Sequence, residues 1–377
     1  MKQRLATILQ LGTPIILAML SQSMINLVDA ALVGPLGEEA LAALGAGSYA
    51  NFVALSLLGG LSAAIQAQVA RRVGEGRHHL CAVPVNHGLL VAFLFALPLS
   101  LVLMLLAPWL LELFSQDSPN IHNLATDYFR IRVMALTAAA MNLSFRGFWN
   151  GVGEPGIFLK LLVFTHLCNA LISYFLIYGL LAIPPLGVSG AALGTFFSMY
   201  LGALLNLWIL NRRTPHQGFL LNWGSRGSLI RMIKLAIPDS LQQTFFALGI
   251  MTLFVIVAQL GVAEMAIVHV LMNISLVLIL PGIGLGMAAN TLVSQSLGAK
   301  KPEQAWRWGQ DAMYTASALL LVLSLPLIFM PQQVLSLFLH DHTLLIMGTP
   351  PPAAHRNRFD YGCALSDLYT GIIRCRR

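Results

Sequence analysis

Residues 60–74 read GLSAAIQAQVARRVG, and residues 284–298 read GLGMAANTLVSQSLG. The two stretches lie 224 positions apart and open and close alike: Gly60-Leu61 falls on Gly284-Leu285, and Gly74 on Gly298. Between them, Ala64 falls on Ala288 and Val69 on Val293. The register extends both ways without a gap. Pro14 falls on Pro238, Leu36-Gly37 on Leu260-Gly261, Ala42 on Ala266, Ser100-Leu101 on Ser324-Leu325, Leu113-Phe114 on Leu337-Phe338 and Asp117 on Asp341. Apolar matches come cheaply in an apolar chain. Pro, Gly and Asp matches at one fixed offset mark an internal duplication.

The background of that repeat is strongly apolar. Of 377 residues 57% are hydrophobic and only 10% charged, against roughly 25% charged in a soluble domain. This excludes a soluble globular fold and a disordered chain. The apolar runs are long rather than short and alternating, which argues against a membrane barrel. The composition therefore indicates an all-α polytopic membrane protein. A span needs about 20 apolar residues, and about nine runs qualify: 12–33, 41–69, 88–114, 124–145, 157–183, 186–210, 235–258, 265–297 and 312–339. Each is expected to be helical, because lipid offers no water to an unpaired backbone group. The fourth is the weakest, carrying Arg130 and Arg132 in its first turns.

The loops give the orientation. Lys2 and Arg4 precede the first span, and Arg71, Arg72 and Arg77 follow the second. Arg146 and Lys160 follow the fourth, five more basic residues lie between Arg212 and Lys234, and Lys300, Lys301 and Arg307 follow the eighth. The alternate loops Gly34–Ala40, Ser115–Asn123, Leu180–Ser189 and Gln259–Glu264 hold no Lys or Arg. By the positive-inside rule the N-terminus is cytoplasmic. The net charge of +7 is thereby explained by topology, and nucleic acid is not an expected partner. The first apolar run is long and lacks a small-x-small cleavage site, so it is read as a retained span.

Six spans per repeat return the chain to its starting face, so both copies run parallel, related by an axis along the membrane normal. The expected domains are an N-terminal lobe of six helices at 1–215 and a partial C-terminal lobe of three at 225–345. A tail at 346–377 fits neither. The register would carry the second copy to about residue 435, whereas the match fails after Asp341. Met347–Arg377 holds five Arg, three consecutive Pro and two of the four Cys. The expectation is a reading frame lost near Ile346, or a truncated gene, in what was a twelve-span protein.

Asp29 is one of very few ionisable groups inside a span. A carboxylate there costs about 2.5–3.5 kcal/mol even on lenient scales. A bound proton or cation removes that cost, which makes Asp29 the first candidate for ion binding; a hydrated position at the outer interface is the plainer alternative. Gln22 and Asn26 lie seven and three residues earlier on the same helical face. They offer donors or carbonyl ligands, or else ordinary helix–helix hydrogen bonds. His166 and His269 lie within spans, to titrate or merely to pack. Met134, Met141, Met251, Met272 and Met287, with Phe245, Phe246 and Tyr174, suit a pliable apolar cavity for flat cations, or ordinary packing. Asp239 directly follows Pro238 and reads as a cap-region charge. Gly151–Gly156 fits GxGxxG, but it lies in a loop between spans with no strand before it. There is no P-loop, HExxH or GxSxG, and the cysteines show no CxxC spacing. Neither an enzyme nor a metal centre is expected.

The repeat also carries a family resemblance. Pro14–Gly76, with NLVDAALVGPLGEEALAALGAG, resembles the first two helices of the multidrug and toxic compound extrusion (MATE) family. LGVAEMAIVHV and PGIGLGMAANTLVSQSLGA, followed by KKPEQA, resemble its seventh and eighth. RGFWNGVGEP and PLGVSGAALGT match two further signatures, and the likeness covers about residues 5–345. It implies two six-helix lobes around a cavity and export of small organic cations in exchange for H+ or Na+, with no other cofactor. A monomer in the lipid bilayer of a bacterial inner membrane is expected. It also implies that Asp29 is the family's first-helix acid. Asn169 and Ser173 stand where one branch presents an Asn and an Asp, so the second acid is replaced here. Thr195 matches the turn into the sixth helix. Phe246 stands where another branch has a Glu. Two rivals remain at this stage: a lipid-linked oligosaccharide flippase of the wider superfamily, and an inert transporter fragment. The scarcity of Lys and Arg deep in the spans favours cationic cargo over the first.

Overall fold

The computed structural model describes residues 2–112, 119–179, 184–214, 216–258, 262–330 and 333. The tail at 346–377, and with it the frame-loss expectation, lies outside the described residues. The secondary structure among the described residues is all helical: α1 (Lys2–Val33), α2 (Glu38–Ser56), α3 (Gly60–Gly74), α4 (Val83–Val91), α5 (Leu97–Glu112), α6 (Pro119–Met134), α7 (Leu136–Val152), α8 (Pro155–Tyr178), α9 (Val188–Arg213), α10 (Arg226–Ala258), α11 (Val262–Gly298) and α12 (Pro302–Phe329). The protein is a multi-pass, all-α membrane protein. Its large apolar side chains often point outward: Leu105 is 80% exposed and Trp109 70%. Water would penalise such a surface, whereas lipid accepts it.

Seven helical stretches among the described residues are long and apolar enough to cross a membrane. The second expected span is α2 and α3 together, bent at Leu57–Gly59, and the third joins α4 to α5 through a π-turn at Ala92–Ala96. The fourth is not one of the seven. It breaks at Ala135 between α6 and α7, and it carries Arg130 and Arg132. The seventh expected span lies within α10, and only Leu278–Gly298 of the eighth is among the seven. The GxGxxG run is a tight turn: Gly153 ends α7 at φ 88°, a left-handed position glycine adopts freely, and Pro155 starts α8.

By contacts the chain forms two compact units. The smaller comprises residues 254–276 and the chain from 321 on; its described parts are the end of α10, the start of α11 and the end of α12. The larger, Met1–Leu253 with Val277–Leu320, combines the whole first repeat with the stretches of α10, α11 and α12 that pack on it.

Inside the larger unit the duplication is visible as geometry. Gly60 of α3 lies so close to α10 that a Cβ would strike the Ala236 carbonyl and reach Ser240. One repeat later, Gly284 of α11 lies against Ile16 of α1, the residue that falls on Ser240, with its side chain nearest and its backbone further off. Gly74 touches the carbonyl of Gln295, and Gly298 touches that of Arg71, which again falls on Gln295. Each contact thus occurs twice with the roles exchanged, as a two-fold relation between the repeats requires.

Candidate functional site

α1 presents a buried stripe through Ile15, Ala18, Ile25, Asp29 and Val33. Asp29 on this stripe is only 7% exposed. Around it, α8 and α9 approach closely because glycines face the contact: a Cβ at Gly190 would enter the Leu176 backbone, and one at Gly194 would strike Ser173. That approach brings the polar residues of the two helices together. Asn169 donates from Nδ2 to the Thr195 hydroxyl and to the Ser198 hydroxyl, each at 3.1 Å. Thr195 is in turn a polar neighbour of the Asp29 carboxyl, while its own proton goes to the Ala191 carbonyl at 3.2 Å. Ser173, one turn after Asn169, is fully buried beside Gly194.

Three oxygen atoms here have no hydrogen-bond partner among the described residues although they are buried: Asp29 Oδ1, Asn169 Oδ1 and Ser173 Oγ. A buried, unsatisfied polar atom costs about 1–3 kcal/mol, and a carboxylate more. Oxygen donors of this kind suit a proton or a hard cation rather than a soft metal. Arg132 of α6 supplies positive charge within electrostatic reach of Asp29. Its guanidinium lies 5.8 Å from the Tyr128 ring centroid, and its Nε is buried without a partner among the described residues.

Asp29, Asn169, Ser173 and Thr195 are therefore gathered into one region. Gln22 and Asn26 are not: both are exposed, and neither has a hydrogen bond to the cluster. Residues 22, 26 and 29 share a helix face only to within tens of degrees, and Asn26 falls at the edge of the buried stripe. Phe246 of α10 and Tyr174 of α8 are exposed, and Met251 is partly buried. The His166 ring bonds Ser21 Oγ through Nδ1 at 2.8 Å, tying α8 to α1; the side chain of His269 lies outside the described residues. Two members were missed from the sequence. Ser198 follows Thr195 by three residues and so shares its face. Arg132 stood out only as a charge weakening a span, though a cation in lipid itself demands an anionic neighbour.

Comparison with known proteins identifies the family and the fold. The MatE family model matches residues 14–175 and 238–349, two segments that begin at Pro14 and Pro238, one repeat apart. The "Multidrug resistance protein NorM" of Burkholderia vietnamiensis is 27% identical over 339 residues, covering 88% of this chain and 72% of that protein. The "Probable multidrug resistance protein NorM" of Bradyrhizobium diazoefficiens is 30% identical, over 85% of this chain and 69% of its own. Among solved structures, a MATE protein in the straight conformation superposes with a TM-score of 0.82 at 22% identity, covering 92% of this chain and 77% of that one. An outward-facing multidrug resistance MATE family transporter gives 0.80 at 23%, over 92% and 76%. The chain belongs to the MatE family, whose members are membrane transporters and not enzymes.

Proposed function

We propose that the protein is a secondary active multidrug exporter that moves small organic cations out of the cell in exchange for H+ or Na+. The observation that carries the reading is the buried Asp29 carboxyl, with unpartnered oxygens of its own and of Asn169 and Ser173 around it. Such a site is destabilised when empty and stabilised when a proton or Na+ arrives, so ion binding is coupled to its geometry. No cofactor other than the coupling ion enters the scheme. The relatives named for multidrug resistance support the cargo class, and the scarcity of basic residues in the spans supports its charge.

In this reading the lobes at 1–215 and 225–345 rock about a central cavity, to which the exposed Phe246 and Tyr174 contribute aromatic faces and Met251 a pliable side chain. The chain sits as a monomer in a bacterial inner membrane with its N-terminus in the cytoplasm, where Fifteen of its 22 Lys and Arg face. One monovalent cation leaving for one entering ion moves no net charge. The drive is then the chemical gradient alone, about 1.4 kcal/mol per tenfold difference. The test is ethidium efflux from cells expressing the protein or Asp29→Asn. The substitution keeps shape but removes the titrating charge, and is expected to abolish efflux with membrane expression intact. Undiminished efflux by that variant sinks the site.

A further inference from the structure

The contacts between α3 and α11 are symmetric in position but not in strength. Gln66 of α3 falls on Asn290 of α11, and Ala63 on Met287. Gln66, with no exposed surface, donates from Nε2 to the Met287 carbonyl at 2.6 Å and is 2.8 Å from the Thr291 hydroxyl. Thr291 donates onward to the Asn150 carbonyl at the end of α7, at 2.9 Å. The matching bond, Asn290 Nδ2 to the Ala63 carbonyl, is 3.4 Å long, and Asn290 Oδ1 also accepts from Ser294. The two-fold is thus broken in favour of Gln66.

The surroundings make this seam separable. The contacts of Gly74 with Gln295 and of Gly298 with Arg71 set the backbones of α3 and α11 against each other without interlocking side chains, so the two helices can part without unthreading. The acceptors of Gln66 are a carbonyl and a hydroxyl, which water can satisfy once the seam opens, so breaking these bonds is an exchange rather than a loss. The seam ends beside Arg71, Arg72, Lys300 and Lys301, the basic residues that mark the cytoplasmic face.

We propose that Gln66 is the latch of the cytoplasmic gate: its two bonds to α11 hold the α3–α11 seam shut, and their release positions the lobes for opening toward the cytoplasm. This rests on the alternating-access reading above, but it does not depend on which cargo or ion is moved. Asn290, its counterpart, is a weak partner in the same seam.

The experiment uses the full chain in sealed membrane vesicles, with the four native cysteines replaced by alanine and a single cysteine placed at Ala288. That residue is fully buried on α11, facing Gly12 of α1, so a membrane-impermeant maleimide reaches it only when α11 moves away from the helices of the first repeat. Gln66→Leu is expected to raise the labelling rate from the cytoplasmic side about tenfold, as loss of about two hydrogen bonds requires. Asn290→Ala is expected to raise it less than about twofold. Thr291→Val, which keeps volume and removes one acceptor, should give an intermediate rise and decides the matter if Gln66→Leu does not fold. Unchanged labelling in both Gln66→Leu and Thr291→Val, or an equal response to Asn290→Ala, overturns the proposal. Failure of ethidium efflux with the labelling shift intact overturns the export reading and leaves the latch standing.

Discussion

Asn169 and Gln66 are both amides buried in the same compact unit, and their surroundings end differently. Asn169 donates within the first repeat, to Thr195 and Ser198 on the neighbouring helix, and its own oxygen is left without a partner among the described residues. Beside it stand two more unpartnered oxygens, on Asp29 and Ser173. Gln66 donates across the repeats, and the acceptors it meets belong to a chain of bonds running from α3 through Thr291 to α7. Gln66 Oε1 is likewise buried without a partner among the described residues, so what separates the two regions is that one gathers three such oxygens around a carboxyl, whereas the other joins helices of the two repeats. A buried polar group is costly in either place, so the difference separates a binding role from a holding one.

The largest expected effect breaks the first region outright: Asp29→Asn should cut ethidium efflux to background, a loss of 100-fold or more by order of magnitude. Next comes the second region. Gly74→Leu and Gly298→Leu each force a side chain into a facing backbone, and both should lower stability by about 1–3 kcal/mol, read as thermal unfolding in detergent. Similar losses would uphold the two-fold; a loss in only one would confine it to one side. Thr195→Val removes the hydroxyl that accepts from Asn169 beside Asp29 and should slow efflux about tenfold, worth about 1.4 kcal/mol, with unfolding unchanged. The smallest effect sharpens the border of the site: Gln22→Ala and Asn26→Ala, both exposed, should each change efflux by less than about twofold. A tenfold loss from either would bring them back into the site.

Much of this was legible before any coordinates. The spans follow from apolar run length, and the repeat from Pro and Gly at one offset. The gathering of Asn169, Ser173 and Thr195 near Asp29 followed from helical spacing together with the family likeness. Other features depend on quantities a sequence does not carry. Whether Gln22 and Asn26 face the cluster turns on a few tens of degrees of helix rotation. The approach of the Arg132 charge to Asp29 turns on where the broken fourth span places α6. The fourth span also shows why charge and hydropathy mislead together: two arginines make it look weak, yet α6 and α7 pack deeply, with Phe129, Phe145 and Trp149 nearly fully buried.

The seam between the repeats has a consequence for how the two halves age. Gln66 and Asn290 reach for the carbonyls of Met287 and Ala63, and every residue has a carbonyl. The acceptor's side chain is therefore free to diverge, as Ala and Met already have, without erasing the bond. The glycines enjoy no such licence, since any side chain would hold the helices apart. Two copies of one ancestral segment can drift until little is shared but glycine, and still clasp each other through the part of the chain that mutation does not touch.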